Sequence, residues 1–267
     1  MFVGKNVMLE KLRAGDIVFG TQLRSRSAAV AELIGLCGFD FVHIETEHNI
    51  FNDEAIENTV RAAQLTGTVP LLRIPTHDQG RILQVLDMGI QGLILPHVDT
   101  PEQARTIIGA AKYPPLGNRG ASFDSRAAGY GIGSTKEVYF ETANRNVAII
   151  PMIESLEGAE NVEAVLDAGA DVVRIGRDDL SLSMGLSQDA PAFKRVVRRI
   201  IDCATERGIA VGTGTDSVEH AKTLIDEGYR MITYMADLTI LSDVYQRVLR
   251  EMRPLAGSPQ GALKSDD

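Results

Sequence analysis

A few charged residues set directly after apolar runs mark where this chain could do chemistry. Glu154 closes the run Val147-Ala148-Ile149-Ile150-Pro151-Met152-Ile153, and Asp179 follows Val172-Val173-Arg174-Ile175-Gly176 after Arg177 and Asp178. A carboxylate at such a position is either a metal ligand or the cap of the next helix, since both duties fall there. Two carboxylates without Cys or His partners suit a hard divalent ion, Mg2+, Mn2+ or Co2+, with water and substrate oxygens completing the shell. Arg73 lies inside Leu71-Leu72-Arg73-Ile74-Pro75. A guanidinium in an apolar strand needs an anionic partner, which a substrate carboxylate or enolate can supply, as can Glu45 or Glu47 at a neighbouring tip. Residues 39–48 run from apolar into Glu45, Glu47 and His48. His48, which titrates near working pH, is the candidate general base. His43 alternates within that run and reads as packed, and His97 reads as lining a mouth.

Such tips need strands to carry them. Apolar runs at 17–23, 41–45, 69–74, 92–97, 147–154, 172–176, 209–212 and 231–234 read as strands. Segments at 25–36, 52–65, 78–88, 100–112, 158–168, 192–207, 217–227 and 238–252 read as the helices between them, with a short extra helix at 135–144. Strands alternating with helices imply a parallel sheet, and eight such units predict an α/β fold of the closed (β/α)8 TIM barrel type. An open doubly wound sheet would carry G-x-G-x-x-G after its first strand, and none follows 17–23. One domain is expected over 1–253, with a disordered tail over 254–267. Active sites of such barrels sit at the C-terminal strand ends. That places Glu45, Glu47 and His48, Arg73, His97, Glu154, Arg177 to Asp179, Thr213, Thr215 and Asp237 at one face. The stretch 113–133 holds Pro114-Pro115, five glycines, Arg119, Asp124 and Arg126. A loop that long reads as functional. Arg126 is a candidate for holding a terminal carboxylate or phosphate, or for a surface pair with Asp124.

Composition narrows the partners. The formal charge is −9 with no Lys/Arg stripe, which argues against nucleic acid. Cys37 and Cys203 lie far apart and suggest neither a disulfide framework nor a zinc site. No run approaches membrane-spanning length and the N-terminus carries no signal pattern, so a cytoplasmic protein is expected.

Six motifs in order resemble one family. They are Phe39-Asp40-Phe41 with Ile44-Glu45-Thr46-Glu47-His48, Leu72-Arg73-Ile74-Pro75, Leu86-Asp87-Met88-Gly89, Tyr113-Pro114-Pro115-Leu116-Gly117-Asn118-Arg119-Gly120, Ile153-Glu154-Ser155 and Ile175-Gly176-Arg177-Asp178-Asp179-Leu180-Ser181. Together, over about residues 11–250, the chain is similar to the HpcH/HpaI aldolases, metal-dependent class II pyruvate aldolases. The resemblance implies a barrel that cleaves or forms the C3–C4 bond of a 4-hydroxy-2-oxo acid, giving pyruvate and an aldehyde. By position it implies Glu154 and Asp179 as metal ligands, Arg73 at the enolate and His48 as acid–base. It also implies that the amides around Asp178 and Asp179 hold the pyruvate carboxylate, with Met152, Arg126 and Thr213 near the substrate. Asp87 would orient the histidine. Asp87 ends a helix before its strand, at the opposite barrel end, so it can reach only the His48 of another subunit. The resemblance thus implies a homo-oligomer, a trimer or hexamer, with the last helix exchanged between neighbours. Three departures stand out. Glu45-Thr46 replaces the family's Asp-Gly, so Glu45 is a further candidate at the catalytic tip; Met152 replaces a glutamine; and Arg177-Asp178 replaces Pro and a small residue, placing an ion pair beside the metal. A citramalyl- or malyl-CoA-lyase-like activity and a diverged biosynthetic or non-catalytic oxo-acid-binding barrel are the alternatives.

Overall fold

The computed structural model describes residues 4–256. Eight parallel strands close into a barrel in sequence order: β1 Val18–Leu23, β2 Phe41–Glu45, β3 Val69–Arg73, β4 Gly92–Leu95, β5 Ala148–Ile153, β6 Val172–Ile175, β7 Ala210–Thr215 and β8 Met231–Ala236. Around them run α1 Val7–Arg13, α2 Ala28–Leu36, α3 Asp53–Leu65, α4 Gln79–Asp87, α5 Pro101–Ala111, α6 Lys136–Asn146, α7 Leu156–Glu160, α8 Val162–Asp167, α9 Arg177–Met184, α10 Pro191–Glu206, α11 Val218–Glu227 and α12 Asp237–Met252. Among the described residues no helix is long and apolar enough to cross a membrane.

Caps fix the helix starts where the sequence signals them. Asn52, Asp78 and Ser217 each accept from the backbone three residues on, and Thr100 forms a full capping box with Gln103 ahead of Pro101.

Strand alternation sorts side chains into two cores. Val42, Ile44, Leu72 and Ile175 pack outward beneath the helices, while Phe41, Val69, Leu71, Ile150, Met152 and Met231 fill the barrel. Phe41 needs room: a Cβ on Gly20 would lie 2.3 Å from its ring, so only glycine fits in that register of β1. Below it, Met8, Leu9 and Leu12 of α1 stop the N-terminal end of the barrel. Buried Asn6 both caps α1 and donates to the carbonyls of Gln91 and Asn146, so this plug is pinned by hydrogen bonds as well as packing.

Five elements differ from the sequence reading. α1 lies in what reads as a lead-in. The helix expected at 158–168 is two short helices that meet at Asn161, whose side chain is tied to the Asp99 carbonyl. α9 occupies what reads as a loop; it starts without a side-chain cap, so the usual start signal is missing. β7 runs three residues and β8 two residues beyond their apolar runs, through Thr215 and Ala236, because ladder pairing continues there. The chain ends its described part in a 3-10 turn, Arg253–Ala256. The rest of the expected tail lies outside the described residues.

Candidate active site

Alternation along β2 and β3 aims Glu45 and Arg73 into the top of the barrel in direct register. Both are buried. Arg73 Nε donates to Glu45 Oε2 at 2.7 Å and its Nη2 joins the same oxygen, while Arg73 Nη1 lies 2.9 Å from Glu47 Oε2. The other oxygen, Glu45 Oε1, accepts the backbone amides of Glu47 (2.8 Å) and His48 (3.2 Å). Glu45 is fully buried and engaged on both oxygens. It aims Arg73 and shapes the turn bearing His48, and it is not among the residues that line the adjoining cavity.

His48 stands at the rim with its ring 3.6 Å from Glu47, and Arg73, Met152, Asp178, Asp179 and Thr213 line the same cavity of about 590 Å3. Glu154 faces Glu47 and Asp179, and its Oε1 accepts the His97 amide at 2.7 Å with the His97 ring at 3.2 Å. Burial, then the neighbouring Glu47 and Asp179 charges, push its carboxyl up, against the His97 contacts. Neither carboxylate is a helix cap, because Ser155 caps α7 and Gly176 begins α9. Gly176 matters here: a Cβ on it would sit 2.8 Å from Glu154 Oε2, so its absence keeps space open beside that oxygen. Two carboxylates that feel each other's charge beside open room could hold a hard divalent cation. Among the described residues no group of three or more His, Cys, Asp and Glu could hold a metal, so the remaining ligands would have to be water or substrate.

Several expected site residues stand elsewhere. Asp87 ends α4 at the barrel's other end and pairs with Arg119 at 2.6 Å; burial pushes its carboxyl up, against Arg119. Arg126 is buried there too, donating to the Met88 carbonyl and to Gln64, both at 2.8 Å. It therefore does not line this chain's cavity, nor does it pair with Asp124, which accepts from Ser122. The stretch 113–133 connects α5 to α6 and is tied down at the N-terminal end, so it shapes no wall of its own barrel's mouth. Arg177 makes no pair with Asp178. It turns to Gln188 and Glu227, and Gln188 in turn donates to Asp178. Asp237 accepts the amides of Arg24, Ser25 and Leu238, which fixes the turn after β1.

Gln22, Arg24, Arg174 and Thr233 also line the cavity and were not among the candidates. Arg174 was findable: an arginine inside Val172-Val173-Arg174-Ile175 is the same signal that singled out Arg73.

Below the tips, His43 is wholly buried and neither ring nitrogen has a hydrogen-bond partner. Burial holds its pKa well below the ordinary 6.5, helped by Arg174, Arg73 and Arg24. Unfolded His43 thus binds a proton that folded His43 refuses, and stability falls as pH drops below the ordinary histidine range. Denaturant melts from pH 7 to 5 should show His43→Leu flattening this slope by up to about 1.4 kcal/mol per pH unit. Equal slopes in both proteins would refute the assignment.

Three comparisons bear on this site. The profile of the HpcH/HpaI aldolase/citrate lyase family matches residues 19–243. A hydroxypyruvate/pyruvate aldolase from Paraburkholderia phytofirmans is 30% identical over 257 residues, 93% of this chain and 98% of that one. A 2-keto-3-deoxy-L-rhamnonate aldolase from Salmonella gallinarum is 35% identical over 211 residues, 78% of each. The crystal structure of an HpcH/HpaI aldolase/citrate lyase family protein from Burkholderia cenocepacia superposes with a TM-score of 0.87 at 28% identity, over 93% of this chain and all of that one.

Proposed function

This chain belongs to the HpcH/HpaI aldolase/citrate lyase family, and from that membership we propose that it is a metal-dependent aldolase acting on a 4-hydroxy-2-oxo acid. The observation that carries the reading is the meeting of Glu154 and Asp179 beside Arg73 at one barrel mouth. The aldolase names of the relatives favour it over a CoA-thioester lyase.

Glu154 and Asp179 would hold Mg2+, Mn2+ or Co2+, which supplies Lewis-acid stabilisation of negative charge on the oxo acid. The α9 amides at Asp178 and Asp179 have no side-chain cap and suit the substrate carboxylate. Arg73, after its contacts to Glu45 and Glu47, keeps an N–H on each terminal nitrogen for the developing enolate oxygen. In cleavage, His48 takes the C4 hydroxyl proton, directly or through water. The C3–C4 bond breaks, its electron pair passes into the enolate, and the aldehyde leaves. Protonation at C3 then gives pyruvate. Met152 puts an apolar wall beside the oxo acid, and Thr213, whose hydroxyl donates to the Ile175 carbonyl, can accept from substrate. Incubation with pyruvate, an aldehyde and each metal should yield the aldol and exchange pyruvate methyl protons in D2O. Neither reaction with any of the three metals would refute the reading.

We further infer a homo-oligomer, a trimer or hexamer. α12 exposes Leu238, Leu241, Tyr245, Leu249 and Met252, a run of large apolar side chains along one helix that a neighbouring subunit would cover. Packing it on a neighbour, with the last helix exchanged, would also bring Asp87 to another subunit's His48. Light scattering should find the oligomer, and Tyr245→Glu with Leu249→Glu should dissociate it and abolish turnover. A fully active monomer would sink the shared dyad. The unpaired Cys37 and Cys203 suit a reducing, cytoplasmic setting.

A further inference from the structure

The cavity is lined by more guanidinium groups than find ion-pair partners. Arg24 just after β1, Arg73 on β3 and Arg174 on β6 line it, and the carboxylates among its lining residues are Asp178, Asp179 and Asp216. Arg73 uses the two nearest carboxylates, Glu45 and Glu47. That leaves the other two arginines with none: among the described residues neither Arg24 nor Arg174 has an ion-pair partner. Arg174 is 5% exposed, and its one hydrogen bond is Nη1 to Thr233 Oγ1 at 2.8 Å. Its other terminal nitrogen lies beside Gly214, which offers no side chain to cover it. Arg24 Nε is buried and unpartnered, while Asp237 clamps the Arg24 amide and so fixes where the side chain starts.

A buried, unpaired guanidinium is costly to a folded chain, and two converging on one cavity call for an anion. Burial, then the charge of Arg73, lower the Arg174 pKa to about 10 against the opposing charges of Glu45 and Glu154, and the group stays cationic at neutral pH.

We propose that Arg24 and Arg174 form a subsite for an anionic terminal group on the aldehyde half of the substrate. This rests on the aldolase reading above, and it narrows the substrate to oxo acids charged at both ends. A carboxylate matches the planar fork of a guanidinium edge to edge, and a phosphate shares the same charge chemistry.

Two experiments test it. In the first, binding is measured by calorimetry on the metal-loaded protein, with 2-oxoglutarate and 2-oxoadipate set against 2-oxopentanoate and 2-oxohexanoate. The dicarboxylates should bind about 10- to 100-fold tighter, and Arg174→Met should erase that preference while leaving the monocarboxylates unchanged. Arg24→Gln should reduce it, and Arg174→Lys should keep part of it. No preference in the unaltered protein overturns the subsite, whether or not the protein proves to be an aldolase. In the second, aldol addition to pyruvate is compared for succinic semialdehyde, glyceraldehyde 3-phosphate and butanal. Preference for the first assigns a carboxylate and preference for the second a phosphate, whereas equal rates for all three count against the proposal. Thermal melts separate a merely structural arginine. Without ligand, Arg174→Met should melt no lower than the unaltered protein, and 2-oxoadipate should raise the melting temperature only where Arg174 is present. A large drop in the unliganded variant would mean that Arg174 serves the fold instead.

Discussion

Glu154→Gln and Asp179→Asn should each slow pyruvate methyl-proton exchange by at least about 10^3-fold, on the order of 4 kcal/mol of lost stabilisation. Both substitutions keep shape and remove charge. Burial already pushes the Glu154 carboxyl up, so an uncharged amide in its place should leave the unliganded fold intact or slightly firmer. The pairing of lost exchange with an unchanged melt is what marks a site defect. NMR in D2O with added Mn2+ reads the first, and circular dichroism reads the second. Exchange within tenfold of normal in either variant would remove that residue from the metal.

Glu45→Ala is expected to be the most damaging change to stability. Breaking a buried ion pair from one side costs about 3–5 kcal/mol, because the other charge stays buried. Here Arg73 would retain only Glu47, and the amides of Glu47 and His48 would lose their acceptor. Glu45→Gln restores an oxygen for the amides and should recover part of the loss. Urea denaturation of the two variants checks the order, and a loss below about 1 kcal/mol in the alanine variant would mean that the network is slack. Activity should fall as well, since Arg73 would lose the contact that aims it.

The sequence carries the barrel plainly because parallel strands buried on both faces read as unbroken apolar runs, as in Val69 to Arg73 and Gly92 to Leu95. It also carries the tips, because a run that ends in Glu45 or Glu154 ends where a buried carboxylate needs polar partners, which only the mouth of the barrel supplies. What it hides follows from geometry. α9 has no cap signal, so Arg177 to Asp179 read as a loop although they form a helix's first turn. Arg126 shares its neighbourhood in sequence with flexible glycines, yet its guanidinium is spent on the Met88 carbonyl and Gln64. Arg177 sits next to Asp178 in the chain and still turns to Glu227, which no spacing rule could tell. Asp87 is the instructive contrast, since position relative to its strand alone puts it at the far end, and there it stands with Arg119.

The lining of the mouth has a consequence for how a substrate arrives. The chain as a whole carries a formal charge of −9, so an organic anion is repelled at long range. Attraction can act only within about a Debye length, roughly 8–10 Å in physiological salt, where Arg24, Arg73 and Arg174 line the cavity among Asp178, Asp179 and Asp216. A molecule with an anionic end is therefore drawn in only once that end comes within reach of the guanidinium groups, and capture depends on close encounter rather than on long-range steering.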